Sequence, residues 1–141
     1  MNILDVNVVV ALFRSDDPRH EGITEWFAES RGRGESFTVP DLVWVGFVRV
    51  VTNKRIMPVP ATFEEAWDFV VALRSQGHYL AFAPHPMTLN EFADLSMNAQ
   101  ASGNLLTDAY IAASAARIGG TVVTFDRDFR KFDGIRVLEP A

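Results

Sequence analysis

The first third of the chain alternates short apolar runs with polar breaks. Residues 1–4 form an apolar run that stops at Asp5, which predicts a first strand. The apolar run at residues 6–13 predicts a buried helix directly after it. Asp16-Asp17-Pro18 then offers an N-cap with proline at the first helical position. An amphipathic helix is expected to follow, with one apolar face formed by Ile23, Trp26 and Phe27.

The middle of the chain predicts one strand and two helices. Residues 36–39 have strand character, and Pro40-Asp41 opens a very apolar helix that runs to about Thr52. Thr62 with Glu65 three residues later has the spacing of a capping box. The helix it begins carries apolar side chains at Phe63, Ala66, Trp67, Val70, Val71 and Leu73.

The last part of the chain continues the alternation of strands and helices. We expect a strand at 79–83, a turn at 84–86, a helix near 89–101, a helix that starts after Gly103-Asn104 and ends at Gly119-Gly120, and strands at 121–125 and 135–138. Strands that alternate with helices imply crossover connections, and therefore an α/β fold with a mostly parallel sheet covered on both faces. We expect a single domain over residues 1–141.

Composition narrows the class of protein. The chain has 141 residues, 48% of them hydrophobic, which suffices for a hydrophobic core without disulfide bonds or a structural metal. Without cysteine, disulfide scaffolds, zinc ribbons and thiol nucleophiles are excluded. The net charge of −5 argues against bulk electrostatic binding of nucleic acid. The N-terminus has no signal-peptide pattern and no apolar segment is of membrane-spanning length, so we expect a cytoplasmic protein with no membrane partner.

Three aspartates fall where they can share one edge of the sheet. Asp5 follows the first strand, Asp126 follows the strand at 121–125, and Asp108 lies near the start of the preceding helix. If the two strands are neighbours, their carboxyl ends bring the acids together, because ligands of such sheets bind at that edge. Clustered carboxylates suit a hard cation, Mg²⁺ or Mn²⁺.

Such a cluster predicts metal-dependent hydrolysis of a phosphodiester. Asp5, Asp108 and Asp126 would be direct or water-mediated ligands, and a metal-activated water would attack the phosphate. Asn7 and Thr124 would orient these ligands, and Asp128 would anchor a metal-bound water from the rim.

Structural roles remain open for the same aspartates. Asp5 could cap the helix that begins at Val6, Asp108 could favour the helix dipole, and Asp126 could form an Asx turn. Arg49 lies on an otherwise apolar helix, where an unpaired guanidinium is costly, so we expect it to meet a carboxylate or a phosphate.

Three segments resemble the PIN-domain ribonucleases, and more narrowly the VapC-type toxins. They are Asp5-Val6-Asn7, the stretch from Leu105 to Ala115, and Val123 to Phe129. The resemblance implies a three-layer α/β/α sandwich, Mg²⁺-dependent cleavage of RNA, a homodimer, and inhibition by a cognate antitoxin. It places Asp5, Asp108 and Asp126 at the family's acidic positions, with Asn7 and Thr124 at its supporting positions.

One family position departs from the pattern. The family usually carries a glutamate on the helix after the second strand, and here residues 42–49 contain no acid, with only Asp41 nearby. The number of metals, one or two, therefore stays open, as does an inward reach of Asp41. A PIN-like module that binds RNA or a partner without cutting is the main alternative. An aspartyl-phosphate phosphatase is less favoured, because Asn7 occupies the position of the acid that such an enzyme needs. A receiver domain is also less favoured, because this chain has no lysine on its late strand.

Overall fold

A computed structural model of the protein describes residues 1–140. Its four strands are β1 (Asn2–Leu4), β2 (Phe37–Thr38), β3 (Thr121–Val123) and β4 (Arg136–Leu138). The six helices are α1 (Val6–Phe13), α2 (His20–Gly32), α3 (Asp41–Val51), α4 (Phe63–Arg74), α5 (Thr88–Asn98) and α6 (Asn104–Arg117), and a 3₁₀ turn covers Arg127–Lys131.

All strand pairs are parallel, in the order β2-β1-β3-β4. β1 lies in the centre, where Ile3 pairs with Thr38 on one side and with Val122 on the other. The side chains of Ile3 and Val122 have no solvent exposure, as expected for a parallel sheet covered on both faces. Helices surround this sheet, which confirms the three-layer α/β/α fold predicted from the sequence.

α1 packs against α3 at close range. A Cβ at Gly46 of α3 would stand 3.0 Å from Cγ2 of Val6, so the absence of a side chain there lets the two helices approach. Val43, Phe47 and Val51 of α3 are fully buried on the inner face of the helix. The close packing fixes α3 beside Asp5, the residue that precedes α1.

Two sequence-based expectations about local structure are wrong. α2 begins at His20, and its cap residue Arg19 makes no side-chain hydrogen bond. Asp17 instead accepts a hydrogen bond from the backbone N–H of Arg19, so Asp16-Asp17-Pro18 forms a turn before the helix. The expected strand at 79–83 is reduced to one bridge between Phe37 and Tyr79, because β2 offers only two residues to pair with.

The capping box of α4 is confirmed, but its apolar positions divide between two faces. Thr62 and Glu65 exchange both hydrogen bonds at 3.1 Å. The core receives Ala66, Val70 and Leu73, whereas Phe63, Trp67 and Val71 are exposed. Across residues 1–140, no helix is both long enough and apolar enough to cross a bilayer.

Candidate functional site

The carboxyl ends of β1 and β3 bring Asp5 beside Thr124. Asp5 is 5% exposed and begins α1, where its Oδ1 accepts a 2.7 Å hydrogen bond from the backbone N–H of Val6. Its Oδ2 accepts a 2.7 Å hydrogen bond from the hydroxyl of Thr124. Asp5 therefore does cap α1, and the same carboxylate also joins the ends of two neighbouring strands.

Thr124 connects Asp5 to Asn7 and Asp126. Its Oγ1 accepts hydrogen bonds from the backbone N–H of Asp126 at 2.9 Å and from the side-chain amide of Asn7 at 3.4 Å. Asn7 also accepts from the backbone N–H of Phe125 at 3.3 Å. These contacts hold the segment after β3 against the start of α1.

Asp108 lies in the second turn of α6 and carries the strongest electrostatic perturbation in the site. Desolvation, followed by the negative charges of Asp5, Asp126 and Asp128, raises the pKa of Asp108 to about 7. Burial also raises the pKa of Asp5, against the opposing effect of its hydrogen bonds from Thr124 and Val6. The acids are therefore close enough to repel one another.

The acids do not all face the same cavity. A cleft of about 550 Å³ is lined by Asp5, Asn7 and Asp108, whereas Asp126 lines a separate pocket of about 60 Å³ together with Thr124. Asp126 accepts a 2.9 Å hydrogen bond from the backbone N–H of Asp128, which is the Asx-type turn considered as its structural role. Asp128 is exposed and lies 3.4 Å from the ammonium of Lys131.

The donor set fits a hard divalent cation. Over residues 1–140, no three His, Cys, Asp or Glu side chains are close enough to form a preassembled metal centre. Asp5 and Asp108 nevertheless place two carboxylates at one cleft, and the charge of Asp5 makes the charged form of Asp108 less favourable. Carboxylate oxygens with an unbalanced negative charge are the ligands that Mg²⁺ and Mn²⁺ prefer.

α3 lines the cleft without contributing an acid. The residues that it presents are Leu42, Val45, Gly46, Arg49 and Val50. Asp41 is exposed at the start of the helix and is not part of the cleft lining, so it does not replace the missing glutamate in this structure.

Sequence reasoning missed a second group of polar residues in the cleft. Asp17 and Arg19 line it, 3.6 Å apart, and the guanidinium of Arg19 lies 4.5 Å from the centre of the Phe125 ring. Their sequence signal is Asp16-Asp17-Pro18, a pattern that predicts a helix cap rather than a cleft lining. Their position in the cleft depends on the turn that replaces that cap.

The chain resembles known proteins over its whole length. The PIN domain profile matches residues 3–135. Ribonuclease VapC31 of Mycobacterium tuberculosis is 41% identical over 140 residues, which cover 99% of each protein. The fold matches VapC20 of M. tuberculosis, described as a sarcin-ricin loop cleaving toxin, with a TM-score of 0.70, 15% identity and coverage of 96% of this chain and 99% of that one. It also matches VapBC2 of Rickettsia felis, solved bound to a promoter DNA fragment, with a TM-score of 0.73, 14% identity and coverage of 99% and 98%.

Proposed function

The chain belongs to the PIN domain family, and on that basis we propose that it is a divalent-metal-dependent endoribonuclease that acts as the toxin of a toxin–antitoxin pair. The observation that carries this proposal is the pair of carboxylates, Asp5 and Asp108, at one cleft beside the carboxyl edge of the sheet. Full-length similarity to a VapC ribonuclease supports RNA as the substrate.

Asp5, Asp108 and Asp126 are the residues that would hold the metal, directly or through water. A divalent cation supplies Lewis-acid activation of the attacking water and neutralises charge on the phosphodiester. Mg²⁺ is the expected ion, with Mn²⁺ as a substitute, because both prefer carboxylate oxygens.

The chain's own hydrogen bonds orient these acids. Thr124 and the N–H of Val6 each hold one oxygen of Asp5, which limits rotation of that carboxylate. Asn7 supports Thr124 from α1. Asp108 is the acid whose protonation depends most on its surroundings. Burial and the negative charges of its neighbours raise its pKa to about 7 in the absence of a cation. Asp128 has the least direct role, at the rim.

An antitoxin protein is the proposed partner. The cleft wall contributed by α3 exposes Leu42 and Val45 by 43% and 67%, an apolar surface beside the acids that a partner segment can cover. The similar fold of VapBC2 supports a toxin of this architecture, and the family resemblance supports a homodimer. An RNA substrate and a cognate antitoxin are consistent with a cytoplasmic protein.

The decisive experiment measures cleavage of total RNA by the purified protein with Mg²⁺, with Mn²⁺ and with EDTA. Asp108→Asn should abolish cleavage, whereas the matched control Asp68→Asn, on the exposed face of α4, should not change it. Circular dichroism checks that both variants are folded. Cleavage that persists in Asp108→Asn or in EDTA contradicts the proposal.

A module that binds without cutting is the second candidate. It is favoured by the absence of an acid among the cleft residues of α3 and by the absence of a preassembled three-acid metal group within residues 1–140. The same assay separates the two candidates, because a binding module retains RNA without cleaving it at any Mg²⁺ or Mn²⁺ concentration.

A further inference from the structure

One face of α3 presents apolar and cationic side chains to the cleft. Leu42, Val45, Gly46 and Arg49 have the spacing i, i+3, i+4 and i+7, which places them on one side of the helix, and all four line the cleft. Arg49 is the charged member of this face. It lines the same cavity as Asp5 and Asp108.

The two cations that line the cleft have different surroundings. Arg19 is 3.6 Å from the carboxylate of Asp17, and its guanidinium lies over the ring of Phe125. Arg49 is exposed, and no carboxylate within residues 1–140 forms an ion pair with it. The expectation that Arg49 meets a carboxylate is therefore not met within the described chain, and its charge remains available to a ligand.

We propose that Arg49 binds a backbone phosphate of the RNA strand in the cleft. This inference rests on the proposed function, which requires a polyanion to approach Asp5 and Asp108. Those carboxylates repel the strand, and a guanidinium in the same cavity offsets the repulsion. Its planar fork can donate two parallel hydrogen bonds to phosphate oxygens.

Arg49 acts as a substrate-binding residue, because its guanidinium offers the strand only hydrogen-bond donors and a positive charge. The exposed side chains of Leu42 and Val45 on the same face can pack against the sugar of the bound strand.

The test measures RNA affinity under conditions that prevent cleavage. A fluorescein-labelled RNA of about 12 nucleotides and mixed sequence is titrated with the full-length protein in EDTA, and fluorescence anisotropy is recorded at salt concentrations between about 50 and 200 mM. A denaturing gel checks that the RNA stays intact. The variants are Arg49→Gln, Arg49→Lys and the control Arg74→Gln, an exposed arginine that does not line the cleft.

Arg49→Gln should weaken binding about tenfold. It should also reduce the slope of log affinity against log salt by about 0.7, the value for one phosphate contact on a single strand. Arg49→Lys should keep the slope while losing part of the affinity, and Arg74→Gln should change neither. If Arg49→Gln binds RNA with the wild-type affinity and salt slope, the inference is overturned. That result is expected if Arg49 instead forms an ion pair with a carboxylate of a partner protein.

Cleavage of the same RNA with Mg²⁺ separates the two proposals. If the wild type cleaves RNA and Arg49→Gln keeps the wild-type salt slope, only the proposed role of Arg49 is refuted. A wild-type protein that binds RNA through Arg49 and never cleaves it refutes only the nuclease. A protein that neither binds nor cleaves the RNA refutes both.

Discussion

Thr124 donates a 2.7 Å hydrogen bond to a buried oxygen of Asp5, a residue 119 positions earlier in the chain. The contact is possible because β1 and β3 are adjacent and parallel, so that both chain segments leave the sheet at one edge. Thr124 is 1% exposed and Asp5 is 5% exposed, so water cannot replace this bond. The geometry of the candidate site therefore depends on the packing of the sheet.

Replacing Thr124 with valine should reduce stability and activity together. The change preserves shape but leaves Oδ2 of Asp5 without its donor and the N–H of Asp126 without its acceptor. We expect a loss of about 2–3 kcal/mol in the free energy of unfolding, measured by urea denaturation. Thr124→Ser keeps the hydroxyl and should restore most of the stability. A valine variant as stable as the wild type would mean that the bond is not needed to hold Asp5.

Asp108→Asn should stabilise the metal-free protein even though it abolishes the proposed activity. The carboxylate of Asp108 is partly desolvated and repelled by Asp5 and Asp126, so a neutral amide removes an unfavourable charge. We expect the free energy of unfolding to rise by about 1 kcal/mol at a pH of about 8, since a pKa shift reports the cost of the charged form.

The same variant tests metal binding without an activity assay. Mg²⁺ should raise the melting temperature of the wild type by mass action and should have a smaller effect on Asp108→Asn. The control Asp68→Asn should respond to Mg²⁺ like the wild type. An equal response of Asp108→Asn would exclude Asp108 as a ligand.

The sequence predicts elements well where chain-local signals decide them. α1 has the predicted bounds, because a run that is apolar except for Asn7 lies between the cap residue Asp5 and a polar break. The strand expected at 79–83 fails because pairing depends on a partner: β2 is two residues long, and besides its pairing with β1 it forms a single bridge to Tyr79. Apolar character alone cannot show how long a neighbouring strand is.

The candidate site likewise has positions that the sequence predicts and positions that depend on tertiary packing. The position of Asp5 follows from the end of β1, which the sequence shows directly, whereas β3 ends at Val123 rather than at the expected Phe125, which leaves Thr124 at the strand end. The places of Arg19 and Arg49 in the cleft could not be predicted, since they depend on how α3 packs on α1 at Gly46 and on the turn that precedes α2. Charge on a helix is visible in a sequence, but the cavity it faces is not.

A polar cluster at the opposite edge of the sheet predicts a pH-dependent stability. Glu35 accepts hydrogen bonds from Asn2, Ser30 and Arg33, and these bonds, those of Arg33 foremost, lower its pKa to about 2. A lowered pKa means that the stabilisation is complete above the unfolded pKa of about 4.5 and is lost as the pH falls towards 2.

Glu35→Gln should therefore cost stability at neutral pH and very little near pH 2. The side chain of Glu35 is 40% exposed, so solvent screening limits the expected loss to about 1 kcal/mol at a pH of about 7. Urea denaturation at several pH values gives the difference, with Glu25→Gln on the exposed face of α2 as the control. A difference that does not shrink with acid would show that the carboxylate charge plays no part.

The environment of His78 predicts that stability also falls as the pH drops, for a different reason than at Glu35. Its ring lies 4.8 Å from that of Phe27 and 4.7 Å from that of Phe37, and both ring nitrogens are buried without a hydrogen-bond partner. Burial, and then the positive charge of Arg31, lowers the pKa of His78 below 6.5. Protonation therefore favours the unfolded chain, so stability should fall as the pH drops below about 6.5.

His78→Phe keeps an aromatic ring between its neighbours and removes the proton site. The unfolding free energy of the wild type should fall by up to about 1 kcal/mol between pH values of about 7.5 and 5.5, and this loss should be absent in His78→Phe. Arg31→Gln should reduce the loss, since it removes a positive charge that opposes protonation. If His78→Phe loses as much stability as the wild type over this range, another group causes the acid sensitivity.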